Sequence, residues 1–324
     1  MSILLIGGTG FVGLNIADTL LADGIDVVIF GQVPPPAALL DRLANLPGRL
    51  VVETGDIRST SRLDELFAQH RPDKVVHGAA ITAGLDREQT AARTIMEVNL
   101  GGTIELLEAA LRHRIGRVVV LGTGSVFGTH DPEGPPLDEQ QDVPVPESLY
   151  GITKYAAERT ALRYRDTRCL NACVARLGVT FGRYEYDTGV RDTLSVPLQL
   201  LQAAEQGREV RVRRELPDDW VYATDVADAI VRLLAVSKPQ PVYHVSAGRR
   251  WSIGEWCGLL KSAFPEFSFT LVDDDAEANI GVPAPRRRPR FLIERLQADT
   301  GYRPRFDPAA AFADYLDWHR HAPR

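Results

Sequence analysis

The stretch SILLIGGTGFVGLNIADTLLADG, Ser2 to Gly24, constrains this chain more than any other. An apolar run, SILLIG, leads into Gly7, Gly10 and Gly13, spaced three apart. Val12, Ile16 and Leu20 then fall on one helical stripe that stops at Gly24. One glycine permits the tight turn, one lets the backbone approach a pyrophosphate, and the last lets the helix pack close to the strand. The helix N-terminus offers free N–H groups and a partial positive charge to the phosphates. A glycine pattern alone is weak; its strand–loop–helix setting makes dinucleotide binding the expectation, with a plain structural turn as the alternative.

The rest of the first half repeats the alternation. DVVIF, LVVETGD, KVVHGAA, RVVVLGTG and NACVARLG read as the second to sixth strands, with helical patterns between them. Ser61 with Asp64 and Glu65 is expected to open one helix as a capping box, and a long helical pattern runs from about Glu88 to His113. Strands that are apolar throughout and alternate with helices indicate a parallel sheet covered on both faces. After Gly178 the rhythm loosens into prolines, arginines and short mixed elements. TDVADAIVRLLAV and VYHVSAG still read as one more helix and one more strand of the main sheet. The expected organisation is α/β: residues 1–178 plus about 222–247 form a dinucleotide-binding domain, and about 179–221 with 248–324 form a smaller, discontinuous substrate-binding lobe.

Composition removes several classes of function. A chain of 324 residues can bury a large core. A net charge of −6 disfavours nucleic acid or an anionic membrane as partner. No apolar run approaches the ~20 residues of a membrane span, and MSILLIGGTG reads as a buried strand rather than a signal peptide. The three cysteines, Cys169, Cys173 and Cys257, imply no disulfide framework, so a reducing cytoplasm is expected. Cys169 and Cys173 lack histidines at metal spacing, so no metal site is expected.

The end of the second strand bears on the cofactor. A carboxylate there would hold the ribose hydroxyls of NAD and repel the extra phosphate of NADP. The chain has IFGQV, with Gly31 at that place and Gln32 after it. Gln32 can hydrogen-bond a ribose hydroxyl, which favours NAD and leaves NADP open. GDIR puts Asp56 and Ile57 after the third strand, where the adenine would lie, with a turn role for Asp56 as the alternative.

SLYGITKYAAE puts Tyr150 and Lys154 four apart on one helix face. In an arbitrary helix the pair would be surface decoration. Here the preceding strand ends in LGTGSVFG, so Thr123 and Ser125 stand at a carboxyl end, where open α/β sheets bind ligands. With GGTGFVG, GDI, HGAA, VNLGGTIELLEAA, GTGSVFG, YGITK, ARLGVTFG and DDWVYATDVADAI in that order, the chain resembles the extended short-chain dehydrogenase/reductases, the NAD-dependent epimerase/dehydratase family. The resemblance implies a Rossmann-type doubly wound parallel sheet with a smaller C-terminal lobe. It also implies a catalytic set: Tyr150 moves the proton, Lys154 lowers its pKa and holds the nicotinamide ribose, and Thr123 hydrogen-bonds the reacting oxygen. The cofactor set then widens from the three glycines to Phe11 and Val12 in the loop, Ala79 and Ala80 in HGAA, and Asn99, for which a local polar contact is the alternative. Bringing a phenol from ~10 to neutrality asks for roughly 4 kcal/mol of preference for the phenolate. A nearby ammonium and the positive nicotinamide ring would supply it.

Departures from the family pattern carry the substrate reading. A nucleotide-sugar 4,6-dehydratase would need an Asp-Glu pair where this chain has Gly124 and Ser125. Val179 and Asp218 stand where an asparagine and an arginine usually bind the sugar-nucleotide diphosphate. Losing one charge-assisted hydrogen bond costs about 1.5–3 kcal/mol. These residues point to hydride transfer on a secondary alcohol or ketone of a small sugar, sugar acid or related hydroxy compound. Arg176 is a candidate for holding a carboxylate, with a structural role as its alternative, and Thr82, Arg87 and Ser125 are candidates for lining the pocket. Arg288, within RRRPR, matches a family arginine that contacts the distal phosphate. That keeps a UDP-sugar 4-epimerase with tightly bound NAD as the alternative. A non-catalytic dinucleotide-binding regulator is the second alternative, disfavoured by the intact Tyr150 and Lys154. IELLEAAL and AAERTALRY have small, apolar faces suited to the four-helix bundle through which the family often dimerises, so a homodimer is expected.

Overall fold

The apolar runs become β1 (Ser2–Ile6), β2 (Asp26–Gly31), β3 (Leu50–Thr54), β4 (Lys74–His77), β5 (Arg117–Thr123) and β6 (Ala172–Leu177). The structure is a computed structural model and describes residues 1–214, 219–282 and 288–321. The later strands are β7 (Val179–Phe181), β8 (Val210–Arg213), β9 (Trp220–Tyr222), β10 (Val242–Val245) and β11 (Phe269–Val272). The helices of the first half are α1 (Phe11–Ala22), α2 (Ala37–Ala44), α3 (Thr60–His70), α4 (Leu85–Met96), α5 (Gly102–Arg112) and α6 (Leu149–Arg168). They are followed by α7 (Val196–Glu205), α8 (Ala223–Ala235), α9 (Ile253–Ala263), α10 (Glu294–Thr300) and α11 (Pro308–His321).

Seven strands form one parallel sheet in the order β10-β6-β5-β4-β1-β2-β3. All but the last residue of β5 are buried, as a strand covered on both faces requires. Leu14, Ile16 and Leu20 of α1 meet Val226, Ile230 and Leu233 of α8 over one face. Leu66 of α3, Leu106 of α5 and Ala161 of α6 cover the other. Chain order reverses between β1 and β4, and the crevice at such a switch point is where open α/β sheets bind ligands. The glycine loop opens onto it.

β7 pairs with β9 and β8 with β11 in two small separate sheets. Their core is aromatic. Phe181 lies 5.2–5.8 Å from the rings of Trp220, Tyr222, Trp251 and Trp256, and tilted or edge-on ring pairs of this kind add to the burial of their area.

Two local expectations are corrected. Ser59, not Ser61, caps α3: its hydroxyl accepts from the Arg62 N–H at 3.3 Å, because Ser59 is extended (φ −87°, ψ 103°) whereas Ser61 already lies inside the helix. The pattern expected from Glu88 to His113 starts at Leu85 and is not one uniform helix. Ala91 is non-helical (φ −136°), and a π turn at Glu97–Gly101 joins α4 to α5 and carries Asn99 into the interior.

Candidate active site

The glycine loop has the tightness its spacing predicts. Gly7 has φ +79°, and a Cβ there would come within 2.5 Å of the Ala79 nitrogen, so the loop lies directly against the end of β4. A Cβ on Gly13 would lie 2.5 Å from the Gly7 carbonyl oxygen, so only glycine lets α1 begin this close to the turn. Gly10 heads α1 with no side-chain cap, and no acid occupies the first turn. Its N–H groups face a cleft of about 1350 Å³ lined by Gly7, Gly10, Phe11 and Val12 from the loop and by Ala79 and Ala80 after β4. A close backbone cradle at an uncapped helix N-terminus fits the pyrophosphate of a dinucleotide.

At the end of β2, Gly31 is dictated by packing. A Cβ there would overlap the Thr9 hydroxyl, so the side chain of the glycine loop takes the space a carboxylate would need. Gly31→Ala should cost about 1–3 kcal/mol by overpacking. Gly31→Ala/Thr9→Gly should recover most of that loss in the urea midpoint; an equal loss in both variants would exclude this contact as the cause.

Gln32 and Ile57 line the cleft. Between Gly55 and Ile57, which both line the cleft, Asp56 has a partly exposed carboxylate. It takes the Arg58 Nη2 at 2.6 Å and the Arg58 N–H at 2.9 Å, bonds that hold it below the usual carboxylate range with help from Gln32.

Tyr150, Thr123, Thr82 and Ser125 all line the cleft. The Ser148 hydroxyl accepts from the Gly151 N–H at 3.0 Å and caps α6, so Tyr150 stands in the first turn, facing the end of β5. Burial pushes the phenol above its ordinary value; the Thr123 and Thr82 hydroxyls and the Arg191 charge pull it back. Arg191 is a cation whose charge acts on this phenol. Thr123 accepts from the Ser125 N–H at 3.1 Å, which fixes its hydroxyl at the strand end.

Lys154 lies one turn deeper, buried and outside the cleft lining. Burial lowers it to about 8 against the opposing charge of Glu158, and His77 beside it is driven to about 3 by burial and by the Lys154 charge. Its ammonium has no hydrogen-bond acceptor among the described residues. Because an unfolded lysine holds its proton to about 10.5, the unfolded chain binds more protons between pH about 8 and 10.5. The Lys154 contribution should therefore make the protein more stable as pH rises through that window. Thermal midpoints of Lys154→Met should lack that component of the rise; identical pH dependence in both proteins would contradict the assignment.

Two expected contacts are corrected. Asn99 is buried behind the cleft. Its side chain accepts from the Ile81 N–H at 2.7 Å and donates to the Ile81 carbonyl and the Thr153 hydroxyl, both at 3.0 Å. It pins the segment between Ala80 and Thr82 and acts as the local polar contact. Arg176 is fully enclosed, bonded through Nε and Nη2 to both oxygens of Glu158 at 2.9 and 2.6 Å, with its guanidinium 5.0 Å from the Phe127 ring centroid. It cannot hold a substrate carboxylate.

The segment 186–193 straps across the cleft, and sequence reasoning missed it. The Tyr186 hydroxyl donates to the Thr9 carbonyl at 2.6 Å, and the Thr82 N–H donates to the Val190 carbonyl at 2.8 Å. Arg87 lines the cleft, but its Nη2 pairs with Asp192 at 2.6 Å and donates to the Gly189 carbonyl at 2.9 Å, so it ties down the strap. Asp187-Thr-Gly189, a turn-forming triplet, was the available signal. Of RRRPR, Arg286 and Arg287 lie outside the described residues, as does Asp218. Arg288 is buried, lines the cleft and crowds Gly124: a Cβ on Gly124 would lie 2.5 Å from Phe291 and 2.8 Å from the Arg288 guanidinium carbon. Val179 and Trp220 complete that wall.

Comparison with known proteins agrees with this geometry. A family model described as the NAD dependent epimerase/dehydratase family matches residues 3–251. A dTDP-glucose 4,6-dehydratase of Streptomyces antibioticus is 30% identical, covering 99% of this chain and 92% of its own. A UDP-glucose 4-epimerase of Rhizobium meliloti (strain 1021) is 29% identical over 98% of this chain and 97% of its own. Among solved structures, the UDP-glucose 4-epimerase of Thermus thermophilus in complex with NAD superposes with a TM-score of 0.79 at 25% identity, covering 100% of each chain.

Proposed function

The chain belongs to the NAD dependent epimerase/dehydratase family and is an enzyme of the extended short-chain dehydrogenase/reductase type, and from that premise we propose that it transfers a hydride between nicotinamide and a secondary alcohol or ketone of a small sugar, sugar acid or related hydroxy compound. The observation that carries this is the placement of Tyr150 with Thr123 and Thr82 in the cleft that the glycine loop opens into. A nicotinamide dinucleotide bound there supplies the two-electron acceptor or donor. Tyr150 takes or returns the proton of the substrate oxygen. Thr123 orients that oxygen, and Lys154, with no acceptor of its own among the described residues, holds a ribose hydroxyl. NAD is the proposed cofactor, supported by the NAD-bound relative and by Gln32 at the ribose position. The lobe of about 179–221 and 248–324 supplies the substrate side through the strap, Val179, Trp220 and Arg288.

A 4,6-dehydratase reaction is disfavoured although relatives carry that name. Gly124 and Ser125 offer no acid, and Phe291 and Arg288 fill the space a side chain at residue 124 would need. A UDP-sugar 4-epimerase is the second reading, favoured by the names of the relatives and by the cationic Arg288. A homodimer through α5 and α6 is part of the proposal, supported by exposed Ile152 on α6 and Met96 at the end of α4.

Purified protein with NAD or NADP and a panel of free sugars, sugar acids and hydroxy acids decides between them. Net formation of reduced nicotinamide with a panel member is the expected result. Interconversion of UDP-sugars without net reduction, and silence on the panel, would replace this reading with the epimerase.

A further inference from the structure

Arg191 is fixed before any ligand arrives. Residue 191 bridges to Thr82, and the N–H of Asp192 donates to the Thr82 carbonyl at 3.2 Å, which holds the backbone. Its Nη1 donates to Glu185 Oε1 at 2.9 Å. The Glu185 side chain is 1% exposed and also accepts from the Ser195 N–H at 2.7 Å and the Ser195 hydroxyl at 2.5 Å, so it cannot follow an arginine that swings away. The guanidinium stands 5.8 Å from the Phe11 ring centroid. Among the described residues Nε and Nη2 have no acceptor, and the partly exposed side chain lines the cleft. Nearby acids of the strap are engaged elsewhere: Asp192 by Arg87 and the Gly84 N–H, Asp187 by the Gly189 N–H. One edge of the fork is anchored on a buried carboxylate while the other faces the cleft, and its charge acts on the Tyr150 phenol.

A planar fork held in this way suits a carboxylate in two-point contact. Phosphate groups of a dinucleotide already have the uncapped α1 N-terminus. Resting on the hydride-transfer reading above, we infer that the substrate is a carboxylate anion and that Arg191, preorganised by Glu185, receives the carboxylate beside the hydroxyl that Tyr150 deprotonates. Arg191 is thus a specificity-determining residue.

The test compares gluconate and glucuronate with neutral glucose and glucitol, in wild type, Arg191→Met and Arg191→Lys. Turnover with NAD, NAD affinity and binding followed by Trp220 fluorescence are the readouts, with unfolding midpoints as the folding control. The expected result is preference for the acids, lost about 10- to 100-fold in Arg191→Met as one charge-assisted contact implies, partly restored in Arg191→Lys, with NAD affinity retained. Equal losses for acids and neutral sugars would overturn the inference. So would a loss confined to NAD affinity, which would assign Arg191 to the dinucleotide phosphates, or Arg191-dependent binding of UDP-glucose with no binding of the acids. If the wild type oxidises no compound, the hydride-transfer reading fails by itself. Fluorescence then decides the inference: Arg191-dependent binding of the acids supports it and its absence overturns it.

Discussion

Tyr150→Phe should reduce turnover by about 10²- to 10⁴-fold, the usual share of a positioned acid–base group, and should leave NAD affinity nearly unchanged. The substitution keeps the ring that fills the first turn of α6 and removes only the oxygen facing Thr123 and Thr82. Both threonine hydroxyls remain able to orient a substrate, so the loss should fall on kcat rather than on KM. Burial raises the phenol, and the opposing Arg191 charge favours its ionised form. Alcohol oxidation by the wild type should accordingly rise with pH as the phenolate population grows. Thr123→Val should show a smaller loss with the same pH dependence. Wild-type turnover in Tyr150→Phe would remove this residue from the chemistry and with it the proposed mechanism.

The second large effect lies beneath the site. Glu158→Ala should destabilise the protein by about 3–5 kcal/mol, because it leaves Arg176 enclosed without its only carboxylate partner among the described residues. Arg176→Met/Glu158→Leu should be far less costly, since apolar side chains of similar volume can replace a buried pair. The pair also reaches the active site: the Glu158 charge is what holds Lys154 up near 8 against burial. In the double variant Lys154 should lose its proton at lower pH. NAD affinity should then fall off at lower pH than in the wild type, measurable by titration across neutrality. A double variant as unstable as Glu158→Ala would refute the desolvated-charge account. An unshifted binding profile would refute the coupling to Lys154.

Much of the fold and the place of the glycine loop could be read in advance, for a physical reason. The glycine loop, the apolar strands and the Tyr150–Lys154 spacing are local patterns, each set by backbone sterics or helical period within a few residues. Gly7, Gly10 and Gly13 occupy the geometry their spacing predicts. What could not be read in advance arose where residues far apart in the chain compete for one space or one charge. Gly31 is a glycine because Thr9 fills its side-chain volume. Arg176, an arginine at a strand end, is enclosed by Glu158.

The order of strands and helices, the parallel sheet and a tight glycine loop at its switch point thus follow from sequence by itself, because periodicity and turn chemistry act over a single turn or strand. Which cations face the cleft was decided only in three dimensions. Arg176 went inward, Arg87 was used to tether the strap, and Arg191, in a loop without regular pattern, was brought to Tyr150. Charge placement depends on burial and on partners supplied by other elements, and neither is visible until the chain has closed on itself.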